Sequence, residues 1–82
     1  MLYTPIKNEA IGETIQNLRR SRGLTQEVFS GLAGIARSHL AMIENGTKIP
    51  NFDTICRIAE ALDIKPSVLV SQIEDASVEY HE

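Results

Sequence analysis

A single cysteine, Cys56, rules out an internal disulfide, and two widely separated histidines, His39 and His81, are too few to build a zinc site with it. Such sparse use of cysteine fits a reducing cytosol, and the expected localisation is cytoplasmic. No apolar run approaches the roughly 18 residues a membrane span requires. The opening segment lacks a basic stretch followed by an apolar block, so no secretory signal is expected. There is no glycine-rich phosphate loop, no Cys–His pair at useful spacing and no carboxylate pair that a cleft would gather. No enzyme is expected, and no catalytic residue, cofactor or metal. Cys56, beside Ile55, reads as a small core or interface residue.

What is present is one small domain. Eighty-two residues leave no room for a second core. A chain of this size buries only roughly 60% of the surface it exposes when unfolded, so its stability margin is thin. The net charge of −3 is unevenly spread. Residues 1–50 carry a net +2 from Lys7, Arg19, Arg20, Arg22, Arg37 and Lys48 against four glutamates, whereas residues 51–82 carry a net −5. That asymmetry points to a functional face in the first half. Charge alone is explained equally well by two differently solvated surfaces.

The hydrophobic pattern is helical throughout. Ile11, Ile15, Leu18 and the stem of Arg22 form one stripe, with Asn8 as cap and Gly23 as stop. Thr25 caps a second helix from Gln26 to about Leu32, with Glu27 in its first turn. After a break at Ala33-Gly34-Ile35, a third helix runs from Arg37 to Glu44 and stops at Asn45-Gly46. Pro50-Asn51 opens a fourth, with Phe52, Ile55, Ile58, Ala59 and Leu62 as its stripe. Pro66 opens a fifth, with Leu69, Val70 and Ile73 facing inward. No period-two run is long enough for a sheet. The fold expected is all-α, with a domain over residues 1–74 and a frayed or partner-dependent acidic tail over 75–82.

The second and third helices, joined around Gly34, have the outline of a helix-turn-helix. Gly34 permits the sharp turn, and Phe29, Ala33 and Ile35 can pack across it on Leu40 and Ile43. Any small helical hairpin shares some of these features. The run Thr25-Gln26-Glu27, Ala33-Gly34-Ile35-Ala36-Arg37-Ser38, Ile43-Glu44-Asn45-Gly46 and Pro50, in that order and spacing, resembles the Cro/repressor-type (Xre-like) helix-turn-helix family over about residues 10–71. The resemblance implies a compact five-helix domain that binds double-stranded operator DNA, usually as a homodimer with twofold symmetry.

Helical geometry places Ser38, Ala41, Met42 and Asn45 opposite the inward Leu40 and Ile43, with Arg37 on the flank. The resemblance implies that this face enters the major groove. Arg37 is then the main base reader, because its planar fork matches O6 and N7 of guanine, with Ser38, Ala41 and Met42 beside it. Gln26, at a helix start that attracts phosphate, implies a backbone contact by the same resemblance. Thr25, His39, Asn45, Thr47, Lys48 and Asn51 complete the expected phosphate-contacting set. Arg19 and Glu44 are expected to be a structural ion pair, as the resemblance implies. The net charge of the fourth and fifth helices is acidic, so pairing there must be apolar, through Ile64, Val68, Val70 and Ile73.

This chain departs from the family pattern at several positions. Ala36 stands where a capping Ser, Thr or Asp is usual, Ser30 where alanine is, and Gly31 weakens the second helix. Val28 and Leu32 occupy usually polar positions and form either a small apolar patch for a protein partner or scattered surface residues. The function expected is a sequence-specific DNA-binding transcriptional regulator, a repressor on a palindromic operator, of bacterial or phage origin. An antitoxin that binds both DNA and a toxin stays open, as does an interaction adaptor without DNA binding.

Overall fold

The computed structural model describes residues 5–79, and within them five helices and no strand. They are α1 (Asn8–Ser21), α2 (Gln26–Ala33), α3 (Arg37–Glu44), α4 (Phe52–Ala61) and α5 (Pro66–Glu79). α1 packs on both α3 and α5, α2 on α3 and α4, and α4 on α5. The shared core holds Ile11, Ile15, Phe29, Leu40, Ile43, Ile58, Leu62, Leu69 and Ile73, with Leu18, Leu24, Ile35 and Ile64 packed at its edge. The all-α five-helix expectation holds.

Local signals account for most helix ends. The Thr25 side chain accepts the Val28 N–H at 3.2 Å, and Asn51 accepts the Thr54 N–H at 2.8 Å. Gly34 ends α2 at φ 69°, a left-handed stop that costs glycine little. Ala36 offers α3 no side-chain cap, so the start of that helix rests on packing.

Five expectations are corrected. Asn8 does not cap α1; it is the first helical residue, and Lys7 holds the cap position without a side-chain bond. The α1 stripe ends in Arg19 rather than Arg22, because the helix stops at Ser21 and Arg22 is exposed. Phe52 is 77% exposed, since as the first residue of α4 it precedes the buried stripe, which begins at Thr54 and Ile55. Val70 is also exposed. Its place in the buried face of α5 goes to Leu69, Ile73 and Ser77, spaced four apart.

Ser77 also explains the fifth correction, at the tail. The boundary expected at 74 falls inside α5, which runs on to Glu79. Ser77 is fully buried; its hydroxyl donates to the Ile73 carbonyl at 2.8 Å and accepts the Lys7 N–H at 3.4 Å. The end of α5 thus satisfies a free N–H at the start of α1. The rest of the expected tail, residues 80–82, lies outside the described residues.

Candidate nucleic-acid interface

α2 and α3 meet through Gly34 with the side chains expected between them. Phe29, Leu40 and Ile43 are fully buried, Ala33 nearly so, and Ile35 is half-buried against them. That packing turns the opposite side of α3 outward. Arg37, Ser38, Met42 and Asn45 are exposed there, and Met42 is the one large apolar residue among them. Ala41 and His39 are half-buried on the two flanks, about 100° to either side of Leu40. The outer face of α3 is therefore narrower than expected at Ala41.

A buried polar node fixes the angle between this face and the start of α2. Glu44, in the last turn of α3, accepts Arg19 Nε at 2.7 Å and Nη2 at 2.9 Å. Its Oε1 also accepts Gln26 Nε2 at 3.0 Å and, more loosely, Gln16 Nε2 at 3.4 Å. Arg19 spends its remaining terminal nitrogen on the Leu24 carbonyl at 2.6 Å, pinning the turn before α2. Burial by itself would raise the Glu44 carboxyl. The hydrogen bonds from Arg19 and Gln26, the Arg19 charge and the Gln16 bond outweigh it and hold the group below the ordinary carboxylate range. The bond to Glu44 in turn raises the Arg19 guanidinium against the opposing effect of burial.

Gln26 is thus half-buried and already engaged at the node. An amide nitrogen carries two protons, so one N–H remains for an external acceptor. Thr25, one residue before, is exposed and commits its hydroxyl oxygen to the α2 cap.

The loop after α3 folds back on that helix. The Thr47 and Lys48 N–H groups both donate to the Met42 carbonyl, at 3.0 and 3.2 Å, and the Thr47 hydroxyl lies 2.6 Å from Asn45 Oδ1. Thr47, Lys48 and Asn51 are exposed beside the outer face of α3. Lys48 brings a cation that no described carboxylate pairs.

The expected pairing residues do not form one surface. Ile73 is 4% exposed and belongs to the monomer core, and Ile64 is half-buried at the core edge. Val68 and Val70 are exposed but lie on opposite flanks of α5, about 100° either side of Leu69. Ile64 also lines an open cleft between α4 and α5, with Cys56, Glu60, Asp63, Lys65 and Pro66. Val68 lies in the first turn of α5, four residues after Ile64. On α2, Val28 and Leu32 are 51% and 60% exposed.

Sequence reasoning missed two supports of the site. Gly12 lies where α1 crosses the end of α3, and a Cβ there would sit 2.5 Å from the carbonyl oxygens of both Ile43 and Glu44. A glycine amid the Ile11–Ile15 stripe was the available signal of such close approach. Gln16 gives no comparable signal, being one more polar residue on a polar flank.

Comparison with known proteins gives a consistent family. The helix-turn-helix family model matches residues 15–69. An HTH-type transcriptional regulator of Sinorhizobium fredii is 31% identical over 65 residues, covering 79% of this chain and 84% of that protein. The immunity repressor protein of Bacillus phage phi105 is 34% identical over 74 residues; the match covers 87% of this chain and 51% of the repressor. Among solved structures, the restriction-modification controller protein C.AhdI of Aeromonas hydrophila superposes with a TM-score of 0.73 at 34% identity. That match covers 76% of this chain and 94% of the controller.

Proposed function

Because the chain belongs to the helix-turn-helix family, we propose that it reads DNA with the outer face of α3 and acts as a repressor on a palindromic operator. It is a DNA-binding transcriptional regulator. The observation that carries the finer reading is the Arg19–Glu44–Gln26 node, which joins three helices and holds α3 at a set angle to the start of α2. A rigid presentation of this kind lets the first turn of α3 reach base edges while the start of α2 and the 45–51 loop rest on phosphates.

In this reading Arg37 reads guanine, and Ser38 and Met42 contact neighbouring base edges; Ala41, half-buried, contributes at most a methyl contact. Gln26 bridges the buried Glu44 carboxylate and a phosphate through its two N–H groups. Asn45, Thr47, Lys48 and Asn51 hold the next phosphates, while Thr25 and His39 flank them. The protein acts in the cytoplasm and catalyses no reaction.

One head covers few base pairs, so two copies share the operator with half-sites about 34 Å apart. Their contact runs through Val68 and the adjoining Ile64 beside the α4–α5 cleft, away from α3. Titrating the protein against the DNA upstream of its own gene, and against a scrambled duplex, tests the reading. Tight, salt-sensitive binding to the first only supports it, and equal binding to both defeats it.

A second reading is favoured by one observation, the exposed Val28–Leu32 pair on α2. The pair suits a protein partner, such as a toxin neutralised by the same domain, and co-purification from the native host tests for it.

A further inference from the structure

The most exposed large apolar side chain in the described structure is Phe52, at 77%, and the next is Ile49, at 62%, three residues before it. Neither belongs to the core, and neither is needed to start α4. α4 is started by the Asn51 cap and the buried Pro50, and its core stripe begins at Thr54. A phenyl ring left in water at the first position of a helix is a cost without an internal return.

Its surroundings identify what would cover it. Lys48 stands four residues before it, exposed and paired with no carboxylate among the described residues. Asn51, directly before it, commits Oδ1 to the helix cap and leaves its amide protons free. The neighbouring carboxylate, Asp53, is held by Arg57 at 2.8 Å. Residues 48–52 therefore set one cation and one amide donor, Lys48 and Asn51, beside the apolar Ile49 and Phe52, where the loop that folds back on the last turn of α3 enters α4. A nucleic-acid backbone offers the complementary pair of surfaces, phosphate oxygens next to the C–H faces of sugars.

We propose that Phe52 is a DNA-backbone contact residue, its ring packed on the deoxyribose next to the phosphate held by Lys48 and Asn51, with Ile49 alongside. This rests on the reading that α3 enters the groove. It adds a contact that carries neither charge nor base information, and so strengthens binding to every sequence alike.

The chain contains no tryptophan, so Phe52→Trp adds a sole tryptophan, selectively excited apart from the two tyrosines. Its emission should shift and change in intensity as duplex DNA is added, in step with the anisotropy of end-labelled DNA. Phe52→Ala should weaken binding about tenfold on operator and scrambled DNA alike. The salt slope should stay unchanged, because no charge is lost, whereas Lys48→Ala should reduce the slope by about one. Thermal melting should match the wild type for both Phe52 variants.

An unchanged affinity for Phe52→Ala overturns the proposal. So does Phe52→Trp emission that stays constant on saturated DNA, or that shifts with protein concentration in the absence of DNA, which would assign the ring to a second copy. If the wild type binds no DNA at all, the proposed function itself fails and this contact with it.

Discussion

The Arg19 guanidinium on α1 grips the Glu44 carboxylate at the end of α3 through two hydrogen bonds, at 2.7 and 2.9 Å, and both side chains are buried. A buried pair is costly to break from one side, because the partner keeps its charge in a poor solvent. Arg19→Met should lower stability by about 3–5 kcal/mol, while the Arg19→Met/Glu44→Leu double variant should recover most of that loss. Denaturant unfolding of wild type, both singles and the double decides it. A double variant destabilised by the sum of the two single losses would show that the pair has no strong internal coupling.

The same pair sets an acid response. Glu44 is held below its unfolded value, so its contribution is fully present above about pH 4.3 and is lost as pH falls through the lower folded value. In Arg19→Met the main partner is gone and burial dominates, raising the carboxyl instead. That variant should therefore regain part of its deficit relative to wild type as pH drops from 7 towards 4. Melting temperatures of the two proteins across that range check the opposite signs.

Two glycines should answer alanine in opposite ways. A Cβ at Gly12 would collide with the Ile43 and Glu44 carbonyls at 2.5 Å, and backbone cannot step aside cheaply. Gly12→Ala should cost about 3 kcal/mol. At Gly31, in the middle of α2, nothing lies within 4 Å of the new methyl, and its φ is not in the left-handed region. Gly31→Ala should stabilise by about 0.8–1 kcal/mol through helix propensity. Thermal or urea unfolding distinguishes them.

Assembly gives a further expectation. Val68 is 41% exposed in the monomer, so Val68→Glu should leave the fold intact and shift micromolar protein from dimer to monomer in sedimentation. Val70→Glu, on the opposite flank of α5, should leave the dimer unaffected. The reverse pattern would move the interface to the other side of the helix.

How much of this was legible in the chain depends on the kind of signal. Thr25, Gly34, Gly46 and Asn51 act locally, through caps and left-handed turns, and they located α2, α3 and α4 closely. The core stripes of α2 and α3 were likewise readable from helical spacing. The rest was not legible because tertiary packing overrides pattern there. Ser77 is polar, so a hydrophobic stripe ends before it; yet its hydroxyl is satisfied by Ile73 and Lys7, and α5 runs on through it. Phe52 looks like core by type, but it sits one turn too early to reach it. Family resemblance pairs Arg19 with Glu44, but the further engagement of Gln26 with the same carboxylate depends on how α2 packs and leaves no mark in the sequence.

The most direct test of the account concerns Arg37, exposed in the first turn of α3. Wild type, Arg37→Ala and Gln26→Ala are titrated on operator and scrambled duplexes at fixed salt. Arg37→Ala should lose about 1–3 kcal/mol on the operator and little on scrambled DNA, collapsing the sequence preference. Gln26→Ala should weaken both more evenly. If Arg37→Ala retains the full preference for the operator, α3 does not read DNA through that side chain and the central claim fails.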